Sequence, residues 1–271
     1  MKPNCCNLPL MLIFLVSCSN ASQHQDPIPV HETFTIESKQ VHETRTINVW
    51  TPPLYSAGTD SFPVLYMADG GIKEDFPHIA NTVAELVKNK SIPPVVLVGI
   101  ENTQRRRDLT GHTEVEDDKK IAPIVGGSEK FRTFINSELF PEINKRYRIT
   151  GKKGIIGESA AGLFIVETFF TNPDMFDYYI AIDPSLWWND HYLVRTAKNY
   201  LEKFPATEKQ FWFAGSGTED ISPYTNQLAQ TLKSANLPNL KWIYSDEPKE
   251  KHNTIFRATK EKALKWTLGE K

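Results

Sequence analysis

The sequence predicts an α/β domain built on a mostly parallel eight-stranded sheet with helices on both faces, and three features of the 271-residue chain predict it. Compact apolar runs of strand length alternate with helix-length amphipathic patterns, the rhythm of successive βαβ units. The first two strand-like runs instead alternate polar and apolar residues, as a hairpin at a sheet edge does. After Val64 no long linker or repeat interrupts the alternation, so a single domain holds the whole pattern.

The leader comes first. An apolar stretch from Leu8 to Val16 follows Met1-Lys2; it is too short for a membrane span and has the length of a signal-peptide core. Its end, Leu15-Val16-Ser17-Cys18, is similar to the lipobox of bacterial lipoproteins. That resemblance implies cleavage before Cys18, acylation of its sulfur and a mature protein tethered to a membrane of the cell envelope. A plain secretory signal cut near Ala21 is the alternative. The expected division is 1–18 signal peptide, 19–31 polar tether containing Pro27 and Pro29, and 32–271 folded domain. The three cysteines, Cys5, Cys6 and Cys18, all lie in the leader, which leaves the domain no thiol for a disulfide, a metal site or a nucleophile.

Thr33–Ile36 and Thr44–Trp50 form the edge hairpin. Val64–Met67, Val95–Ile100, Gly154–Ile156, Tyr178–Ile182, Gln210–Ala214 and Trp242–Tyr244 read as strands buried on both faces. Helix patterns run over His78–Lys90, Glu129–Tyr147, Ala160–Thr171, His191–Phe204, Pro223–Ala235 and Phe256–Leu268. In open sheets of this kind the ligand sits beyond the carboxyl ends of the strands.

At one such end the chain reads Gly157-Glu158-Ser159-Ala160-Ala161-Gly162, between a buried strand and a helix. A serine on so tight a turn projects its hydroxyl above the sheet, with the following helix N-terminus aimed at the reacting oxygen. The pattern is G-x-S-x-G with Ala161 in the last place. A nucleophilic serine needs a base, and the base an orienting acid. Of seven histidines, only His252 follows the last strand, where this fold class carries its base. The acid is expected after the seventh strand, where Glu219 and Asp220 are equal candidates. The oxyanion donors are expected to be the amides of Ala160 and of Gly70 or Gly71. No His/Cys/Asp/Glu cluster calls for a metal, and no cofactor is implied. With 31 basic against 33 acidic side chains, a net charge of −2 argues against nucleic acid as a partner.

These residues together resemble the putative-esterase branch of the α/β-hydrolases, which includes enterobactin and salmochelin esterases, S-formylglutathione hydrolase and feruloyl esterases. The resemblance runs from about Phe34 to Leu268. Beyond the elbow it rests on Val64–Gly70, on Arg105–Thr110, on Phe131–Tyr147, and on Asp183-Pro184-Ser185-Leu186-Trp187-Trp188, similar to the family's S-P-S-x-W-W loop. Glu158 stands where many members have His, and Asp183 where they have Ser. The resemblance implies a serine carboxylic-ester hydrolase working through an acyl-enzyme on Ser159, on siderophores or other bulky esters. An acyltransferase of the same fold and a non-catalytic binding lipoprotein are the alternatives. Arg105, Arg107, Trp187 and Trp188 are the expected substrate-binding residues, with ion pairing to Asp108 or nearby acids the competing role for the two arginines.

Overall fold

The computed structural model describes residues 26–122 and 124–269. Strands β1 (Glu32–Ser38) and β2 (Glu43–Trp50) form the hairpin, and a single turn, α1 (Leu54–Ala57), leads to β3 (Phe62–Met67). Helix α2 (Phe76–Lys88), β4 (Val96–Ile100) and the short helices α3 (Arg105–Leu109) and α4 (Glu116–Ile121) follow. Next come α5 (Ser128–Phe134), α6 (Phe140–Arg146), β5 (Ile149–Glu158), α7 (Ala160–Thr171) and β6 (Tyr178–Ile182). The chain closes with α8 (Trp188–Leu201), β7 (Lys209–Ser216), α9 (Ser222–Ala235), β8 (Leu240–Glu247) and α10 (Ile255–Leu268).

The eight strands lie in the order β1-β2-β4-β3-β5-β6-β7-β8. Strands β3 to β8 run parallel, while β2 is antiparallel to both β1 and β4. The sheet is therefore mixed, with its antiparallel part at the hairpin edge. The burial pattern explains why: β4 is buried throughout, whereas β1 alternates. Strand β8 departs from the expectation. It is the far edge strand among the described residues and alternates between exposed and covered residues, because one of its faces is packed and the other lies open.

Two apolar layers cover the sheet. On one face α2 and α10 bury Phe76, Ile79, Val83, Phe256 and Leu264 against Leu65, Leu97 and Ile156. On the other, α5 to α9 bury an aromatic-rich core in which Phe169 stacks on Phe211 at 4.5 Å.

The helix expected over Glu129–Tyr147 is interrupted by a π turn at Ile135–Leu139. Pro141 lies just beyond it, and a proline lacks the N–H and clashes with the carbonyl four residues back; the wider turn accommodates it. The helix expected from His191 opens on three left-handed residues, Asn189, Asp190 and His191, with φ of 52°, 49° and 46°. Buried Asp118 accepts the Asn189 N–H at 2.8 Å, and the His191 ring stacks on Tyr224.

Candidate active site

Ser159 takes φ 60° and ψ −118° between β5 and α7. Such a backbone costs on the order of 1–3 kcal/mol and persists only where its surroundings over-determine it. They do so here. The Ser159 N–H donates to Ile182 O at 3.0 Å, while Ser159 O accepts from Leu163 and Ser185 amides at 2.9 and 3.1 Å. Glycine is required at 157, where a Cβ would come within 2.6 Å of Ala161 Cβ. That contact also explains how the elbow tolerates alanine at 161.

His252 hangs from the loop between β8 and α10. Its loop is tied to that after β7 by the Gly217 N–H, which donates to Glu250 O at 3.1 Å. Gly217 permits the approach, since a Cβ there would lie 2.4 Å from Pro248 O. So held, His252 Nε2 sits 3.0 Å from Ser159 Oγ and Nδ1 2.7 Å from Asp183 Oδ2. A carboxylate at Nδ1 makes that nitrogen the donor and leaves Nε2 to accept the serine proton.

The acid on the histidine is Asp183, at the end of β6, not Glu219 or Asp220. Both of those lie on the exposed turn after β7 and make no side-chain hydrogen bond among the described residues. Glu219 lines a cavity of about 570 Å³ beside His252 without reaching the ring. Neither acid caps α9, whose N-cap position is Ile221 with no side-chain bond. Asp183 is fully buried with φ 47°, a left-handed conformation that Asp tolerates better than most residues. Its carboxylate is well supplied with donors. Ser216 N–H donates to Oδ1 at 2.5 Å, and the Ser216 hydroxyl to Oδ2 at 2.9 Å. The sequence did carry a signal: Asp183 is the residue that departs from the S-P-S-x-W-W pattern. The order Ser, acid, His along the chain survives the change.

The Asp183 carboxylate raises the pKa of His252; burial opposes it, and the charges of Glu158 and Asp220 add to the rise. Glu158, half-buried beside the nucleophile, is itself pushed up to about 7, chiefly by burial, with Asp75 and Asp183 adding and His252 and Arg105 opposing. His252 must be neutral to act as a base, so the acid limb of kcat/KM should have its midpoint above the ordinary histidine value of about 6.5. In Glu158→Gln the imidazolium loses a neighbouring anion, and that limb should move to lower pH. A pH–rate profile that is superimposable on the native one would show that Glu158 does not act on His252.

The Ala160 N–H stands at the first position of α7, where no intrahelical carbonyl can accept it. Gly70 is removed as a second donor: its N–H donates to Ile100 O at 2.9 Å, extending the β3–β4 pairing. The Gly71 N–H points to the Glu74 carboxylate, 2.7 Å from Oε2. This loop is clasped to the elbow by Arg105. Its guanidinium makes two bonds to Asp69, at 2.6 and 2.7 Å, and reaches the Glu158 carbonyl at 3.4 Å.

The expected substrate-binding set is only partly brought to the cleft. Arg107 is spent on Asp108 at 2.7 Å and Glu43 at 2.5 Å, in a buried charge cluster shared with Arg45. Arg105 is paired as described, so the ion-pair role holds for both arginines. Trp188 is buried, its indole N–H donating to Gly111 O at 3.0 Å, which removes it as a wall of the cleft. Trp187 stays half-buried, two residues past Ser185, whose hydroxyl is 3.4 Å from Ser159 Oγ.

A serine hydroxyl, an imidazole and a buried carboxylate in series above a hydrolase-type sheet are the arrangement of a serine hydrolase. The family model described as "Putative esterase" matches residues 38–255, and the chain belongs to that family. The ferri-bacillibactin esterase BesA of Bacillus subtilis is 31% identical over 201 residues, covering 61% of this chain and 68% of that protein. The apo-salmochelin esterase of Escherichia coli is 25% identical over 249 residues, covering 85% and 77%. The crystal structure of the BES protein from Bacillus cereus superposes with a TM-score of 0.78 at 25% identity, covering 89% of this chain and 97% of that one. The protein is an ester hydrolase of the α/β-hydrolase class.

Proposed function

We propose that this protein cleaves the ester bonds of siderophores through an acyl-enzyme on Ser159. The Ser159–His252–Asp183 relay carries the reading, and the siderophore esterases among its relatives support the substrate class. His252 Nε2 takes the Ser159 proton as Oγ attacks the ester carbonyl. Asp183 holds the ring and the positive charge it gains, while the Ala160 and Gly71 amides receive the oxyanion. His252 then returns the proton to the leaving alkoxide. Water, deprotonated by the same ring, hydrolyses the acyl-enzyme and frees the acid. Incubation with a cyclic trilactone siderophore tests the substrate: a linear trimer one water heavier, and then smaller fragments whose summed mass is one further water heavier per ester cleaved, are expected. An intact siderophore, alongside turnover of p-nitrophenyl esters, would assign the enzyme to another ester.

The leader supports a second part of the proposal, lipid attachment at Cys18 and residence in a bacterial cell envelope. Cys18 lies outside the described residues, and no described helix is long and apolar enough to cross a membrane. Cys18→Ala should move the protein from the membrane fraction to the soluble one; an unchanged membrane fraction would overturn the anchor.

A further inference from the structure

The Gly71 N–H, the second oxyanion donor in the reaction just described, already has a partner. Gly71 and Glu74 form a closed turn. Glu74 N–H donates to Gly71 O at 3.0 Å, and Gly71 N–H donates back to Glu74 Oε2 at 2.7 Å. The carboxylate lies so close that a Cβ at residue 71 would stand 2.9 Å from Oε2. An amide has one hydrogen to give. While a carboxylate holds it, the oxyanion of a tetrahedral intermediate can only compete for it, against a second negative charge.

The same carboxylate has another place to go. Asn102, just past β4, offers its side-chain N–H₂ to Oε1 at 3.0 Å, and its backbone N–H lies 3.4 Å from both carboxylate oxygens. Asn102 is itself fixed by Asp69, 2.5 Å from its amide nitrogen, and Asp69 is fixed by Arg105. Glu74 can therefore release Gly71 without losing its anchorage. Burial and the charge of Asp69 push its carboxyl pKa up, against the bonds from Gly71 and Asn102.

We propose that Glu74 is a latch on the oxyanion hole: it occupies the Gly71 N–H in the resting enzyme and frees it by turning wholly onto Asn102 as the oxyanion forms. This deepens the acyl-enzyme reading and rests on it. Glu74 touches no reacting atom; it acts through Gly71 and is a positioning residue.

The test is the second-order rate at which a p-nitrophenyl phosphonate labels Ser159, together with kcat and KM for p-nitrophenyl butyrate, in native protein, Glu74→Ala and Glu74→Gln. Removing the competitor should speed labelling and raise kcat by about tenfold in Glu74→Ala, the scale of one contested hydrogen bond, with KM little changed. Glu74→Gln keeps the shape of the turn and weakens the acceptor, so its gain should be intermediate. A role as a mere brace would give the opposite sign, with both variants slower. Rates at or below the native value in both would overturn the latch. Ser159 left unlabelled in all three proteins would overturn the nucleophile itself, and the latch with it.

Discussion

Asp183→Asn is expected to lower kcat by roughly 10³- to 10⁴-fold while leaving the fold intact, because it inverts the histidine tautomer. The Ser216 N–H requires an oxygen at the Oδ1 position. An asparagine satisfying that donor must turn its N–H₂ group toward His252 Nδ1. The imidazole then accepts at Nδ1, carries its hydrogen on Nε2, and can no longer take the serine proton. The side chain is almost isosteric, so the buried Ser216 groups stay paired and the thermal midpoint should move little. Asp183→Ala would instead strand the Ser216 N–H in the interior, at about 1–3 kcal/mol, while the Ser216 hydroxyl keeps its bond to Thr218 at 2.7 Å. Glu219→Gln and Asp220→Asn should each change kcat by less than about threefold, since exposed side chains act on His252 only through screened charge. Steady-state kinetics on the four variants decide the matter. A large loss in the Glu219 or Asp220 variant with full activity in Asp183→Asn would return the acid to the loop after β7.

Ser159→Ala should be the larger effect, a fall in kcat on the order of 10⁵- to 10⁶-fold, since the attacking atom is gone and only the oxyanion donors and binding remain. Stability should be almost unaltered. The three backbone hydrogen bonds that hold the elbow involve Ser159 N and O, not Oγ. Alanine retains the Cβ that makes the positive φ costly, so the strain stays as it was. Comparable activity in Ser159→Ala would remove the nucleophile from the account.

Much of this architecture was legible because it depends on pattern. Strand-length apolar runs and the hairpin's alternation specify eight strands, and the small residues around Ser159 specify a tight strand-to-helix turn. His252 was legible by position, as the histidine in the loop after the last strand. The acid was not, because several strand ends open onto one cleft. Which carboxylate turns inward depends on a left-handed backbone at Asp183; the local mark, Asp in the first place of the S-P-S-x-W-W pattern, does not by itself say where the side chain points. Gly70 and Gly71 look alike in sequence as free backbone. The structure divides them, since the β3–β4 pairing consumes one amide and a side chain three residues on takes the other. Trp187 and Trp188 divide in the same way, by which neighbour finds a carbonyl for its indole in the core.

The most direct test of the central claim uses the domain from Ser19 onward, assayed with short- and medium-chain p-nitrophenyl esters before and after treatment with a serine-directed phosphonate. Turnover that the phosphonate abolishes is expected, with one adduct per chain located on Ser159. Turnover that survives the reagent, or an adduct on another residue, would contradict that claim.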